Sequence, residues 1–275
     1  MKLSPLARDP HALYEAAVQG VDYDLNFAER LFRHLRGRPA RSLRDDFCAT
    51  AALATSFALR DPRNVGYGVD LDPEALEWAR THRLARLDPS VQARVRLVEG
   101  DVRTARLPKV DVTLAYNFAY WVMRSREDLR GYFRAARRGL EKDGLLVVSA
   151  FGGSDAMRPL VERRAIPAKQ APDGWALPPF RYVWEQESFN PIDHAFPCAI
   201  HFEFARGRTM KRAFTYDWRF WTLPEIREAM AEAGFGESRV YVEGWDDDTR
   251  PDPPSARRRT MPQQETWLAL VAGIV

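Results

Sequence analysis

Four polar positions in the first half of the chain stand at the ends of short apolar runs, where side chains can meet a bound nucleoside: Asp45, Asp70, Asp101 and Asn117. Asp70, closing Gly68-Val69-Asp70 with Leu71 beside it, has the charge and reach to accept both hydroxyls of a ribose in a bidentate bond. Asp101, in Glu99-Gly100-Asp101-Val102, can take a hydrogen bond from an adenine amino group, with Val102 next to it. Asn117, in Tyr116-Asn117-Phe118, is placed to face a reacting centre together with the aromatic residues around it. Asp45 opens Asp45-Asp46-Phe47-Cys48-Ala49-Thr50-Ala51, a tight turn that needs small residues for the backbone to approach a ligand; Ala49 and Ala51 stand where glycine is usual, with Cys48 and Ala49 taken as cofactor contacts. Each acid also has a plainer use as a helix cap or loop charge, and Asp72, followed by Pro73, is read as a cap. The chain has no G-x-G-x-x-G. A pyrophosphate therefore lacks its cradle at a helix N-terminus, and a cofactor without phosphates suits the pattern better than a dinucleotide.

The elements that must hold these residues are legible as an alternation. Ala12 to Leu35 has helical spacing, with Phe27, Leu31, Phe32 and Leu35 on one stripe, closed by Gly37 and Pro39. Short apolar runs then alternate with amphipathic ones: Arg41 to Phe47, a helix through Leu59, Val65 to Leu71, a helix from Pro73 to Leu87, Val95 to Val98, Val110 to Tyr116, a helix from Glu127 to Leu140, and Leu145 to Phe151. This rhythm predicts βαβ units and an α/β fold: a Rossmann-like, doubly wound, mostly parallel sheet binding its ligand outside the carboxyl ends of the strands.

After Phe151 the rhythm breaks. Residues 152–181 carry five prolines and little period, and Ala199 to Ala205 and Thr209 to Tyr216 read as antiparallel strands joined by Arg206-Gly207-Arg208. The α/β pattern resumes with a helix from Leu223 to Ala233, a strand at Ser238 to Glu243, a polar loop from Asp246 to Pro262 and a last strand at Glu265 to Val271. The expected organisation is an N-terminal helical cap over 1–40, a Rossmann-like domain over 41–151 and 222–275, and an inserted aromatic-rich β segment over 152–221. Between Trp175 and Trp221 lie 13 of the chain's 32 aromatic residues. They either fill the segment's own core or a homodimer interface, or line an apolar pocket for a small molecule.

Composition excludes several classes. A net charge of +3, from 41 basic and 38 acidic residues spread along the chain, points to neither nucleic acid nor an anionic membrane. The longest apolar stretches fall well short of the ~20 residues of a membrane span. Cys48 and Cys198 are far apart without a CxxC pair, and the histidines have no partners at ligand spacing, so neither a disulfide framework nor a metal site is expected and a cytoplasmic setting is.

Leu43-Arg44-Asp45-Asp46-Phe47-Cys48-Ala49-Thr50 resembles the LREDFCGT form of motif I in one branch of the class I S-adenosylmethionine-dependent methyltransferases. Gly68 to Pro73, Gly100-Asp101-Val102 and Leu140-Glu141-Lys142-Asp143-Gly144 resemble the later motifs. Tyr14-Glu15 with Asp22-Tyr23 is similar to the N-terminal helices of glycine and amino-sugar N-methyltransferases. The resemblance implies S-adenosyl-L-methionine as cofactor and S-adenosyl-L-homocysteine as product, Asp45 beside the methionine part, and Tyr14 and Tyr23 closing over the cofactor. Phe47, Ala49 and Ala51 depart from the motif's three glycines; the first departure is shared with the branch, whereas Ala49 is not.

The resemblance implies in-line displacement at a sulfonium, which needs alignment and at most one base. His194, His201, Tyr216 and Asp217 are candidates, of which His201, sharing a strand face with Glu203, and Tyr216 are taken with Asn117 as the catalytic set. A strand histidine equally serves packing. The expected activity is methyl transfer to nitrogen or oxygen of a small molecule. The alternatives are methylation of protein or RNA, which requires an extended basic groove, and cofactor binding without catalysis.

Overall fold

A computed structural model describes residues 6–170, 176–242 and 257–275. Trp175, Glu243 and residues 246–256 of the expected polar loop lie outside the described residues. The chain forms two compact units, one from Met1–Gln19 and Ser154–Phe220, the other from Gly20–Gly153 and Trp221–Val275.

The helical stretch expected over 12–35 is two helices, and they belong to different units. α1 (Pro10–Val18) starts on Asp9, whose side chain accepts the Ala12 N–H at 2.9 Å, and ends where Gln19 turns extended. α2 (Val21–Arg36) starts after Gly20 and ends on Gly37, whose left-handed φ of 68° lets its N–H cap the Arg33 carbonyl. The segment 1–40 is thus divided at Gly20, α1 going with the antiparallel unit and α2 with the α/β unit.

The α/β unit is one seven-stranded sheet. Its strands are β1 (Ser42–Asp46), β2 (Val65–Asp70), β3 (Val95–Glu99), β4 (Val110–Ala115), β5 (Leu140–Gly152), β12 (Glu237–Val242) and β13 (Trp267–Ile274), in the spatial order β12-β13-β5-β4-β1-β2-β3. β1 to β5 pair in parallel, and β13 enters antiparallel between β5 and β12. Strand order reverses between β1 and β4, which opens the crevice where doubly wound sheets bind ligands. The connecting helices are α3 (Ala52–Arg60), α4 (Pro73–Trp78), a single turn α5 (Pro89–Gln92), α6 (Arg126–Arg138) and α7 (Leu223–Glu232). The helix expected over 73–87 stays α-helical only to Trp78, continuing as a π turn, Ala79–Arg83, and a 3-10 turn, Leu84–Arg86. Leu25, Phe32, Leu43, Phe57, Val112 and Val147 share the core that joins α2 and α3 to the sheet. Each such large side chain contributes about 1.5–3 kcal/mol by leaving water. α3 lies close enough to β2 that a Cβ on Gly66 would stand 2.2 Å from the Ala54 carbonyl oxygen.

The antiparallel unit is built on β6 (Leu160–Ile166), β9 (Phe180–Gln186), β10 (Ala195–Glu203) and β11 (Thr209–Arg219), in the order β11-β10-β9-β6. A small ladder pairs β7 (Lys169–Gln170) with β8 (Ala176–Leu177). β10 and β11 are the expected hairpin, turned by Arg206 (φ 63°) and Gly207 (φ 70°). β6 falls in the stretch without period because it is an edge strand exposed along most of its length, so no face demands apolar alternation. One face of this sheet, with Phe180, Ile200 and Phe202, packs against Leu13 and Ala17 of α1. Much of the aromatic excess fills this unit, since Phe180, Phe196, Phe202, Trp218 and Phe220 are buried in it. Trp221 belongs instead to the α/β unit, where its indole N–H donates to the Met123 carbonyl at 3.0 Å.

Candidate functional site

The turn after β1 is held in a backbone conformation that glycine would adopt freely. Phe47, Ala49 and Ala51 have φ of 61°, 44° and 56°, alternating with residues of ordinary conformation. The Cys48 N–H donates to the Val69 carbonyl at 3.0 Å and the Ala49 N–H to Asp70 Oδ2 at 2.6 Å, so β2 braces the turn. Arg83, in the π turn, donates to the Thr50 carbonyl at 2.9 Å and braces it from the other side. The Ala49 methyl stands in the left-handed region at a cost of about 1 kcal/mol. Ala49→Gly is expected to be neutral or stabilising within about 1 kcal/mol and to bind S-adenosylhomocysteine at least as well as the parent. Urea unfolding and calorimetry check both, and a large loss of affinity would mean that the methyl group is needed.

Asp70 and Leu71 form a contrast in exposure. Besides Ala49, the Asp70 carboxylate accepts the Asp72 N–H on Oδ1 at 2.9 Å, and the Leu71 N–H bonds it as well. Burial raises its pKa, and these N–H donors draw it back down. Leu71 is 66 % exposed, an apolar surface beside a carboxylate. Asp72 caps α4 through the Glu74 and Ala75 amides at 2.9 and 3.3 Å. Gly68 keeps the floor low, since a Cβ there would meet Cys48 Sγ and Leu97 at 2.8 Å each.

Asp45 and Asp46 are both buried and point to opposite sides of β1. Asp45 is bonded by the Ala54 amide in the first turn of α3, where Ala51 offers no capping side chain. Burial, followed by the neighbouring carboxylates Asp46, Asp70 and Asp24, holds its pKa well above the usual range. Burial also raises Asp46, offset by Arg44 and the Tyr132 hydroxyl.

At the end of β3, Asp101 is gripped by its own neighbour. Arg103 donates through Nε to both Asp101 oxygens (3.1 and 3.0 Å) and through a terminal nitrogen at 2.7 Å, lowering the Asp101 pKa. The adjacent Val102 is buried, with its carbonyl facing Arg44. After β4, Asn117 and Phe118 are both left-handed, φ 52° and 60°, and the Phe118 N–H donates to Ser149 Oγ at 3.1 Å. Phe118 packs on Phe151, which stacks with Trp121 at 4.8 Å. Asp45, Cys48, Ala49, Asp70, Leu71, Asp101, Val102 and Asn117 thus all stand at the carboxyl ends of neighbouring parallel strands.

The remaining sequence candidates fall elsewhere. Tyr23, 54 % exposed, is on α2 in the α/β unit, whereas Tyr14 is on α1 in the antiparallel unit. Tyr14 shares a hydrogen bond with Tyr216, and burial pushes its pKa up to about 12. Burial raises Tyr216 further, which keeps that phenol protonated and a poor proton acceptor near neutral pH. His201 occupies the other face of the same sheet, in a groove with Val183, Glu185, Arg163 and Glu203. Its Nδ1 accepts the N–H of Arg212, a left-handed residue (φ 50°) where the β10–β11 register shifts, at 3.0 Å. The neutral ring therefore carries its proton on Nε2 and donates it to Glu185 at 2.8 Å. Glu203, the expected orienting group, pairs instead with Arg181 and Arg163. With both nitrogens engaged, the ring as placed has no lone pair for an incoming proton. His201→Ala is expected to cost about 1–2 kcal/mol of stability by stranding Glu185 and the Arg212 N–H, measured by urea unfolding, and to leave the pH profile of turnover unchanged.

Two positioning groups were not found from sequence, Arg83 on the Thr50 carbonyl and the buried pair of Arg44 and Asp46. Arg44-Asp45-Asp46 inside a core strand was the available signal: adjacent charges in an apolar run must be paired within the fold.

With this geometry established, comparison with known proteins gives a consistent class. Residues 46–148 match the family described as the methyltransferase domain. No curated protein sequence matches the chain. Solved structures with the same fold include an S-adenosylmethionine-dependent methyltransferase from Clostridium acetobutylicum, 17 % identical over 94 % of this chain and 96 % of that one, TM-score 0.62. An amino pentose methyltransferase from Micromonospora echinaspora, solved with S-adenosylmethionine bound, is 21 % identical over 95 % of each chain, TM-score 0.64. A sugar N-methyltransferase from Streptoalloteichus is 16 % identical over 98 % of this chain and 95 % of that one, TM-score 0.63. The fold is the Rossmann-like fold of these methyltransferases, and the stretch that matches the methyltransferase domain spans the strands that build the site.

Proposed function

We propose that the chain is an S-adenosylmethionine-dependent methyltransferase acting on a nitrogen or oxygen of a small molecule. The observation that carries the reading is that the stretch matching the methyltransferase domain, residues 46–148, coincides with the strand ends where the half-buried Asp70 carboxylate adjoins exposed Leu71. The residues fit the cofactor: Asp70 presents a carboxylate at the strand end where two ribose hydroxyls would sit, exposed Leu71 offers an apolar contact to adenine, and Asp45 is a buried carboxyl suited to a cationic ligand. When bound, S-adenosylmethionine supplies an electrophilic methyl group on sulfur, open to in-line displacement. Asp101 and Val102 meet the adenine edge, and the braced turn at Phe47–Ala51 admits the cofactor's main chain-like end close to backbone. Asn117 orients the acceptor. His201 is left out of the chemistry by its hydrogen bonds. The acceptor is an amine or hydroxyl on a sugar-like metabolite, the substrate class named for two of the similar structures.

Titration calorimetry with S-adenosylmethionine tests the reading through binding and through protons. Asp45 has a raised pKa, so in the ligand-free protein it holds a proton over a pH range where an ordinary aspartate does not. A cationic ligand favours the ionised carboxylate. Binding is therefore expected to release a proton, and affinity to rise with pH until Asp45 is ionised in the free protein as well. Repeating the titration in buffers of different ionisation heat measures that release. Absence of any binding by S-adenosylmethionine and S-adenosylhomocysteine defeats the proposal; binding without transfer to a panel of amino sugars and phenols defeats its acceptor class.

A further inference from the structure

Arg44 and Asp46 form an ion pair shut away from water, their side chains 4 % and 0 % exposed. Such a pair is a poor device for stability, because desolvation offsets the attraction and apolar replacements of similar volume often do as well or better. Its connections are specific. Arg44 Nε donates to Asp46 Oδ1 at 2.5 Å, and a terminal nitrogen of the same guanidinium donates to the Val102 carbonyl at 2.7 Å. The Tyr132 hydroxyl, on α6, donates to the other Asp46 oxygen at 3.1 Å. Asp46 is the residue before Phe47, the first left-handed position of the turn after β1, and the Phe47 ring meets Tyr132 edge to face at 5.5 Å. Val102 follows Asp101 in the loop after β3. One planar fork thus links two loops that β2 keeps on separate strands of the sheet.

We infer that Arg44, oriented by Asp46 and Tyr132, is a positioning residue that sets the spacing between the Phe47–Ala51 turn and the Asp101–Val102 loop, and thereby the affinity for the adenosine half of the cofactor. The inference rests on the cofactor reading above. Arginine is required because its fork addresses two acceptors in fixed geometry, whereas lysine presents a single mobile point charge.

The test compares the parent with Arg44→Lys and with the double variant Arg44→Met/Asp46→Leu, which removes both buried charges together. Each is titrated with S-adenosylhomocysteine and with 5′-methylthioadenosine, which carries the adenosine half alone, and its melting temperature is recorded. The double variant is expected to melt close to the parent or above it, yet to bind both ligands more weakly by the same factor, about tenfold or more. Arg44→Lys is expected to show the same matched loss, with faster amide exchange at 101–103 and unchanged exchange in β4 and β5. A merely structural role moves melting temperature and leaves the two affinities of the folded protein alone. A folded double variant that binds both ligands within about twofold of the parent overturns the inference, as does a loss confined to S-adenosylhomocysteine. Should the double variant not fold, Tyr132→Phe, which deletes one hydrogen bond to Asp46, is expected to show a smaller matched loss, and unchanged affinity for both ligands overturns the inference. A parent chain that binds neither ligand defeats the cofactor reading and this inference with it, a result distinguishable because it appears before any substitution.

Discussion

Gly66→Ala is expected to destabilise the α/β unit by about 3 kcal/mol or more, enough to leave much of the protein unfolded if its stability is at the low end of the ordinary 5–15 kcal/mol. The added Cβ would stand 2.2 Å from the Ala54 carbonyl oxygen and 2.8 Å from its carbon. Those are backbone atoms inside α3, so no rotamer change relieves the clash. Either α3 lifts off β2, loosening buried Phe57 and Leu53, or β2 shifts within a sheet where it is paired on both sides. Gly68→Ala offers the internal comparison. Its nearest contacts are Cys48 Sγ and Leu97 Cδ2 at 2.8 Å and Cys48 Cβ at 3.2 Å, so side chains rather than helix backbone must shift. Its cost is expected to be about 1–2 kcal/mol. Urea unfolding of both variants checks the ordering, and a Gly66→Ala chain as stable as the parent would mean that α3 and β2 are not packed this closely.

Asp70→Ala is expected to weaken S-adenosylhomocysteine binding about 100-fold or more, because hydrogen bonds to a charged group are worth about 1.5–3 kcal/mol each and two ribose hydroxyls lose their acceptor together. A second loss adds to it. The Ala49 and Asp72 amides, now held at 2.6 and 2.9 Å, lose their partner, so the turn after β1 relaxes out of its left-handed geometry. Asp70→Asn keeps one acceptor oxygen and should fall between the two. Calorimetry on the folded variants decides, and an Asp70→Ala protein with parental affinity would remove Asp70 from the ribose.

Strands whose faces are buried announced themselves in the sequence. β2, β4 and the second half of β5 are largely apolar runs, and the alternation that they set together with β1 and β3 put Asp45, Asp70, Asp101 and Asn117 at one edge of a parallel sheet. What stayed hidden depended on contacts distant in sequence. Gly20 was not read as a helix break because the apolar period continues across it; the two halves bury their stripes in different units. β6 was missed because an exposed edge imposes no pattern. His201 looked like a base because spacing shows which residues share a face, while the Arg212 amide that occupies its ring comes from a bulge in the next strand.

The antiparallel unit takes its first helix from residues before 20 and its sheet from residues after 153. Leu13 of α1 is fully buried, and its cluster includes Ile200 and Phe202. During synthesis at about 5–20 residues per second, α1 therefore leaves the ribosome on the order of ten seconds or more before the strands that cover it exist. Through that interval the apolar stripe of α1 has no sheet to bury it. The α/β unit is likewise completed late, by β12 and β13, so both units close only with residues from the final third of this sequence.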